Sequence, residues 1–216
     1  MNNAIHTVIF DLDGTLSDSS VVTMEACKRV LPDYGLPMPA IDAVKRATGH
    51  PNPEFYYILF PDHDRDTVYK AGQQVEREEK HAISSLGDKL LFPGCRELLE
   101  RLKEKGIRLC IASLGDEEHV LTILNSSGVI GFFETVLFAQ PGKTEDKTEM
   151  LRELIGKSDK SGCVMVGDMK KDHEAARLNG IVSAGACYGY CKEDISEFDF
   201  YIYSPLELLD ILNLKI

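Results

Sequence analysis

Short apolar runs separated by helical patterns recur along this chain of 216 residues and constrain its fold more than any other feature. The runs that predict strands lie at residues 4–10, 107–112, 135–139, 163–166 and, more weakly, 181–184. Segments around the later runs carry apolar residues at helical spacing, and several of them end at a glycine. Continuous apolar strands joined by helices are typical of a Rossmann-like α/β core, a parallel sheet with helices on both faces.

Residues 17–87 interrupt this alternation. They contain several helical patterns, joined by segments rich in proline, and no convincing strand. We therefore expect an all-α domain at residues 17–87, inserted directly after the first strand. The α/β core domain is then discontinuous in sequence and consists of residues 1–16 and 88–216.

The charge balance argues against one broad class of function. The chain has 24 Lys and Arg against 35 Asp and Glu, a formal net charge of −11 at neutral pH. A nucleic-acid-binding domain usually shows a basic surplus or stripe, so we expect no nucleic-acid partner. No apolar run is long enough to cross a bilayer, and the first residues lack the pattern of a signal peptide. The sequence thus predicts a cytoplasmic protein without a membrane partner.

The strongest chemical signal is the motif DLDGT at residues 11–15, directly after the first predicted strand. Residues two apart in an extended segment point the same way, so we expect Asp11 and Asp13 to converge above the edge of the sheet. Without a cation, such close carboxylates favour protonation of one of them, which suits a nucleophile beside an acid–base group. Gly14 permits a tight turn and the close approach of a ligand. An Asp-Gly pair taken alone favours a simple polar turn.

A second acidic pair follows the strand predicted at 163–166. Asp168 comes directly after this strand region, and Asp172 lies four residues later, near the start of a helix. If this strand and the first are neighbours, Asp168 meets Asp11 and Asp13, and the three gather around one divalent ion. Oxygen ligands without a nearby His or Cys favour Mg²⁺ over zinc. For Asp172 two interpretations are open, a metal ligand and a carboxylate that interacts with the helix dipole.

Two further residues have positions that suit phosphate binding. Ser113 follows the strand predicted at 107–112, where its hydroxyl and nearby N–H groups can hold a phosphate oxygen. Lys147 begins a predicted helix and offers a positive charge to the same pocket. An alternative is open for each, because such a serine is often a turn or cap residue and such a lysine is often only solvated.

Together these motifs resemble the haloacid dehalogenase superfamily of phosphohydrolases over nearly the whole chain. The order matches: DxDGT at 11–15, the strand-terminal Ser113, a lysine before a helix, and GDxxxD at 167–172. The helical insert resembles the α-helical cap of the branch that contains phosphoglycolate phosphatase-like enzymes and β-phosphoglucomutase. For the lysine the resemblance leaves two candidates, Lys147 at the helix start, which we prefer, and Lys143.

The resemblance implies a role for each of these residues. Asp11 attacks phosphorus and forms an aspartyl phosphate, while Asp13 protonates the leaving oxygen and then activates water. Mg²⁺ is held by the side chains of Asp11 and Asp168, by the backbone carbonyl of Asp13, and by Asp172 directly or through water. The serine and the lysine hold the phosphoryl oxygens.

The sequence therefore predicts a Mg²⁺-dependent phosphatase that acts on a small phosphorylated metabolite, such as a phosphoglycolate-like or sugar-phosphate monoester. His50 lies between cap helices, where the resembling enzymes often place a specificity loop. Two interpretations of this segment are open: His50 contacts the substrate, or the segment is an ordinary surface loop.

Two alternative functions have similar core residues. A β-phosphoglucomutase-like sugar phosphate mutase returns the phosphoryl group to a hydroxyl, and only the cap distinguishes it. A phospho-acceptor signalling module also combines strand-end carboxylates, a hydroxyl and a lysine around Mg²⁺, but a receiver domain is roughly half this length. Both a monomer and a dimer are compatible with the sequence.

Overall fold

Six parallel strands form one sheet in the computed structural model, which describes residues 5–48, 50, 52–140, 142, 146–190 and 197–212. The strands are β1 (Thr7–Phe10), β2 (Arg108–Ala112), β3 (Thr135–Leu137), β4 (Cys163–Gly167), β5 (Val182–Ala186) and β6 (Phe200–Ile202). Their order across the sheet is β3-β2-β1-β4-β5-β6, and each neighbouring pair is parallel. The first strand therefore lies inside the sheet, between β2 and β4.

Helices cover both faces of this sheet. They are α5 (Cys95–Glu104), α6 (Glu117–Ser126), α7 (Lys147–Ile155), α8 (Lys170–Asn179) and α9 (Glu207–Ile211). Val8 and Phe10 of β1 pack in an apolar cluster with residues of α5, α6 and α9, whereas Ile9 packs on the opposite face with residues of α7 and α8. Because the strand is buried on both faces, every position of β1 is buried, and the predicted Rossmann-like α/β core is confirmed.

The five predicted strands differ from their predicted limits by one to three residues, and a sixth strand was not predicted. The first begins at Thr7 in the described part of the chain, later than the pattern at 4–10 indicates. The strand β6 has no counterpart in the predictions, because it has only three residues and its first two are exposed, so it lacks the apolar run of a buried strand. No helix within the described residues has both the length and the hydropathy that a membrane span needs.

Within the described residues, four α-helices lie between β1 and α5, as the pattern at residues 17–87 predicts. They are α1 (Ser20–Val30), α2 (Ile41–Ala47), α3 (Glu54–Leu59) and α4 (Arg65–Leu86). Helices α1, α3 and α4 share an apolar cluster, which is separate from the two clusters at the sheet and includes Ala26, Tyr56 and Val75. The segment therefore has the packing of a small helical layer, while its exact limits as a domain stay a prediction.

The chain enters and leaves this helical segment through two backbone segments that lie side by side. Ser17 and Leu91 form an antiparallel bridge. The amide of Asp18 donates to the carbonyl of Leu90 at 2.8 Å, and the amide of Phe92 donates to that of Leu16 at 3.0 Å. This paired crossing connects the helical segment directly to the end of β1, where the DLDGT motif begins.

Candidate active site

The register of the sheet brings the ends of β1 and β4 together. Phe10 pairs with Val166, and the amide of Asp11 donates to the carbonyl of Val166 at 2.9 Å. The acidic residues that follow these two strands therefore emerge side by side at the carboxyl edge of the sheet, which confirms the expected adjacency of the two strand ends. In parallel α/β sheets, ligands bind beyond this edge.

Three buried carboxylates meet at this edge. One oxygen from each of Asp11, Asp168 and Asp172 lies within 4.8 Å of the others. The ammonium group of Lys147 donates to Oδ1 of Asp11 at 2.8 Å and also to Oδ1 of Asp172. Lys147 is itself buried at the first residue of α7, so it is not the solvated lysine that its position alone allowed. The alternative candidate, Lys143, lies outside the described residues.

The three carboxylates carry more negative charge than the neighbouring lysine balances. Burial, opposed by Lys147 and assisted by Asp172, raises the pKa of Asp11 to about 7. Burial and the neighbouring Asp11 raise the pKa of Asp168 well above its ordinary range. One lysine faces three carboxylates, which leaves a deficit of two positive charges when all three are ionised. An oxygen-only donor set with this deficit fits Mg²⁺, which prefers carboxylate ligands.

The side chain of Asp13 has a different orientation from the one expected. It is not part of the three-carboxylate group found among the described residues. Its Oδ1 accepts a hydrogen bond from the hydroxyl of Ser19, and its Oδ2 lies 2.9 Å from Nε2 of His119. The expectation of a shared side-chain cluster assumed extended backbone, but the chain bends at Leu12, so the strand alternation ends with β1. Asp13 therefore faces the cavity beside the cluster instead of completing it.

Asp13 and His119 form a tightly coupled pair. Burial acts to raise the pKa of Asp13, but the charge and hydrogen bond of His119 outweigh it and lower that pKa. Burial likewise acts to lower the pKa of His119, and Asp13 raises it to about 9. At neutral pH the pair is thus an ion pair held in a half-buried position. Sequence patterns gave no indication of His119, because nothing in its local pattern distinguishes it from other polar residues of α6.

Ser113 and Gly14 occupy defined positions at the same edge. Ser113 is buried directly after β2, and its Oγ accepts a hydrogen bond from the amide of Gly115 at 3.1 Å while the residue lines the cavity. Gly14 has φ +84°, and a Cβ atom there would lie 2.3 Å from Oδ2 of Asp168. A glycine at position 14 therefore leaves room for the carboxylate of Asp168, which a larger residue would displace. The substrate contact expected for Gly14 stays a prediction.

Tyr190 connects the carboxylate cluster to the start of the helical segment. Its amide donates to Oδ2 of Asp168 at 2.7 Å. Its hydroxyl accepts from the amide of Ser20 at 3.0 Å and donates to Oδ1 of Asp18 at 3.1 Å. The sequence offered no signal for this residue, since the contact depends on the loop that follows β5.

A cavity of about 380 Å³ lies between the helical segment and the sheet edge. Residues of the sheet domain on its wall include Asp11, Asp13, Ser113 and Lys147, and residues of the helical segment include His50. His50 is exposed at this wall, a position that suits the substrate contact considered for it but does not test it. The predicted catalytic and phosphate-binding side chains therefore share one enclosed space.

A family model described as haloacid dehalogenase-like hydrolase matches residues 8–186 of this sequence. The chain belongs to the haloacid dehalogenase-like hydrolase family. The match spans both acidic motifs, the serine, the lysine and the helical insert, so the family resemblance is confirmed.

Several curated proteins are similar to this chain. A phosphorylated carbohydrates phosphatase of Thermotoga maritima is 31% identical over 82% of each chain. A phosphoglycolate phosphatase of Aquifex aeolicus is 27% identical over 97% of each chain. Tyrosine-protein kinase PtkA of Mycobacterium tuberculosis is 28% identical over 87% of this chain, but the match spans only 64% of the length of PtkA.

Solved structures show the same fold. A predicted phosphoglycolate phosphatase of Haemophilus somnus has a TM-score of 0.84 at 23% identity, covering 96% of this chain and 97% of its own. A protein assigned as a β-phosphoglucomutase of Thermotoga maritima has a TM-score of 0.75 at 26% identity, covering 98% of this chain and all of its own. The architecture of this chain, including the helical segment between β1 and α5, is thus shared with both.

Proposed function

We propose that this hydrolase is a Mg²⁺-dependent phosphatase that releases inorganic phosphate from a small phosphorylated metabolite. The observation that carries the proposal is the buried group of Asp11, Asp168 and Asp172 beside Lys147, of which Asp11 and Lys147 line one cavity with Ser113 and Asp13. The phosphatase relatives support the same chemistry. Residues 17–87 act as a cap domain over a core formed by residues 1–16 and 88–216.

The chain's own residues account for two successive displacements. Asp11 attacks phosphorus, and the bond from phosphorus to the leaving oxygen breaks while Asp13 gives that oxygen the proton that the Asp13–His119 pair carries. Asp13 then takes a proton from a water molecule that attacks the aspartyl phosphate, and Asp11 is released. Ser113 and Lys147 hold the phosphoryl oxygens throughout. The two-step reaction divides one difficult displacement into two easier ones.

Mg²⁺ fits the carboxylates that the structure gathers. The side chains of Asp11, Asp168 and Asp172 and the backbone carbonyl of Asp13 are the groups that would hold it. The ion, when bound, neutralises the clustered charge and lets an anionic phosphoryl group approach. The amide of Tyr190 and the hydroxyl of Thr15 both donate to Asp168 and keep its carboxylate at the cluster.

His119 acts as a positioning residue in this proposal. It contacts Asp13 and holds the carboxylate towards the cavity, away from the three-carboxylate group. The hydroxyl of Ser19 fixes the other oxygen of the same carboxylate. Asp13 is therefore restrained at both oxygens, which suits a group that must meet a leaving oxygen in one orientation.

The proposal is tested by multiple-turnover release of inorganic phosphate from p-nitrophenyl phosphate and a panel of phosphorylated metabolites, with Mg²⁺ and with excess EDTA. We expect sustained turnover with Mg²⁺ and none with EDTA. A single phosphorylation event without turnover would instead support the phospho-acceptor module, and no reaction with any ester would overturn the proposal.

A sugar phosphate mutase is the second candidate, favoured by the structural likeness to the protein assigned as a β-phosphoglucomutase. Its core chemistry uses the same residues, so the product distinguishes the two functions. Isomerised sugar phosphate without net phosphate release would establish the mutase, while net release without isomerisation would exclude it.

A further inference from the structure

The cavity that contains the catalytic carboxylates extends to two glutamates of the cap helix α4. Glu76 and Glu79 both line it, and both are half-buried. The carboxylate of Glu79 accepts a hydrogen bond from the hydroxyl of Thr23 on α1, which fixes Glu79 at the cavity wall. Burial raises the pKa of each glutamate above its ordinary value, so this part of the cavity already disfavours negative charge.

Positive charge on the cap side of the cavity is limited. Among the described cap residues that line it, Lys80 is the single lysine or arginine, and its ammonium group pairs with Glu118 of α6. The other two lysines at the cavity, Lys147 and Lys171, belong to the core helices α7 and α8. The cap side therefore combines two carboxylates with a lysine that a third carboxylate neutralises.

The proposed chemistry fixes which part of a substrate meets this wall. With its phosphoryl group held by Ser113 and Lys147, a substrate presents its leaving oxygen to Asp13, and the rest of the leaving group extends towards the cap. Burial raises the pKa of Glu79, Thr23 and His119 act against this rise, and the charges of Glu76 and, more weakly, Asp13 add to it, so these carboxylates interact across this space. A carboxylate on the leaving group would add a like charge between them, whereas a hydroxyl would donate a hydrogen bond to Glu79.

We propose that Glu79 is a specificity-determining residue that selects a hydroxylated, carboxylate-free leaving group. This inference rests on the proposed phosphatase function and narrows it: sugar-phosphate or polyol-phosphate monoesters are substrates, and phosphoglycolate-like monoesters are disfavoured. Both classes are small enough for the cavity, so charge, not size, makes the distinction.

A matched pair of esters tests the inference with the full chain and Mg²⁺. 2-Hydroxyethyl phosphate and 2-phosphoglycolate have the same number of carbons. At the end away from the phosphate, the first has a hydroxymethyl group and the second has a carboxylate. We expect kcat/KM to be at least tenfold higher for 2-hydroxyethyl phosphate. Glycerol 1-phosphate against 3-phosphoglycerate gives a second pair with a longer leaving group, for which we expect the same order.

The variant Glu79→Gln removes the charge but keeps the size and an oxygen that can accept from Thr23. We expect it to raise kcat/KM for 2-phosphoglycolate about fivefold or more, and so to narrow the ratio between the two esters. Glu78→Gln is the matched control, since it removes the same charge one residue earlier, where the side chain pairs with Arg29 on α1. The control should retain the wild-type ratio.

A preference of the wild-type protein for the carboxylated ester in either pair would overturn the inference, as would a ratio that Glu79→Gln leaves unchanged. Thermal unfolding of both variants shows whether they are folded. Turnover of p-nitrophenyl phosphate distinguishes failure of the phosphatase function from failure of the role of Glu79. If the wild-type protein does not hydrolyse this ester, the phosphatase function itself is overturned. If the protein hydrolyses p-nitrophenyl phosphate but shows no preference between the paired esters, or prefers the carboxylated ones, only the role of Glu79 is overturned.

Discussion

Nε2 of His119 lies 2.9 Å from Oδ2 of Asp13, a contact between residues 106 positions apart in the sequence. Because this contact orients the proposed acid–base group, His119→Ala should lower kcat for p-nitrophenyl phosphate roughly tenfold or more while KM changes little. His119→Gln, which retains a donor, should recover part of the loss. Steady-state kinetics at saturating Mg²⁺ checks this. His81→Ala is the control, since that ring bonds to the backbone of its own helix. An unchanged kcat in His119→Ala would contradict the positioning role.

Asp11→Asn should abolish turnover, because the amide cannot form an aspartyl phosphate. The variant should fold, and without metal it should be at least as stable as the wild-type protein. Burial and Asp172 act to raise the pKa of Asp11, so removing its charge relieves repulsion within the cluster. Phosphate release and thermal unfolding measure the two effects. Activity in this variant would refute Asp11 as the nucleophile.

Mg²⁺ should stabilise the folded chain as well as activate it. At 100 times its Kd a ligand adds about 2.7 kcal/mol to the free energy of unfolding, which for a chain of this size corresponds to a rise in Tm of roughly 5–10 °C. Asp168→Asn should lose most of this rise, since Asp168 is buried within the carboxylate cluster. Asp66→Asn, on the first turn of α4, should retain it. Equal shifts in both variants would place the ion elsewhere.

Gly14→Ala should impair metal binding through contact with Asp168. The added Cβ would lie 2.3 Å from Oδ2 of Asp168, and φ is +84° at this position. We expect the Mg²⁺ concentration that gives half-maximal activity to rise roughly tenfold. Gly35→Ala is a matched control, because Gly35 also has a positive φ, +65°, but has nothing within 4 Å of the added atom. If both variants lose activity equally, backbone strain alone explains the effect.

The sequence predicted the parts of the site that depend on strand ends. Asp11, Asp168 and Ser113 each follow an apolar run, and parallel strands deliver such residues to one edge of the sheet. Their adjacency was therefore predictable once the strands were recognised. Lys147 was also recognisable, since it begins a helix that returns to this edge.

The parts that sequence patterns did not predict depend on tertiary packing. The contact of His119 with Asp13 requires α6 to pack against the loop after β1. The contact of Tyr190 with Asp168 requires a particular course of the chain after β5. The orientation of Asp13 depends on a bend at Leu12 that strand periodicity does not encode. None of these relationships has a signature in local spacing.

Glu79 gives a prediction for the pH dependence of stability. Burial raises its pKa in the folded chain above the ordinary value of 4.5, although Thr23 and His119 act in the opposite direction. The folded state thus binds more protons than the unfolded state between these two pKa values, so the contribution of Glu79 to the free energy of unfolding falls as pH rises through this range. Glu79→Gln removes this dependence.

The variant Glu79→Gln should be more stable than the wild-type protein at pH 8, and the difference in the free energy of unfolding should shrink towards zero as the pH falls to about 4, near the ordinary glutamate pKa. Urea unfolding at several pH values measures the difference, with Glu78→Gln as the control. A wild-type protein more stable than Glu79→Gln at pH 8 would show that the ionised carboxylate stabilises the fold, and that Glu79 is retained for structure instead of for the selection of substrate.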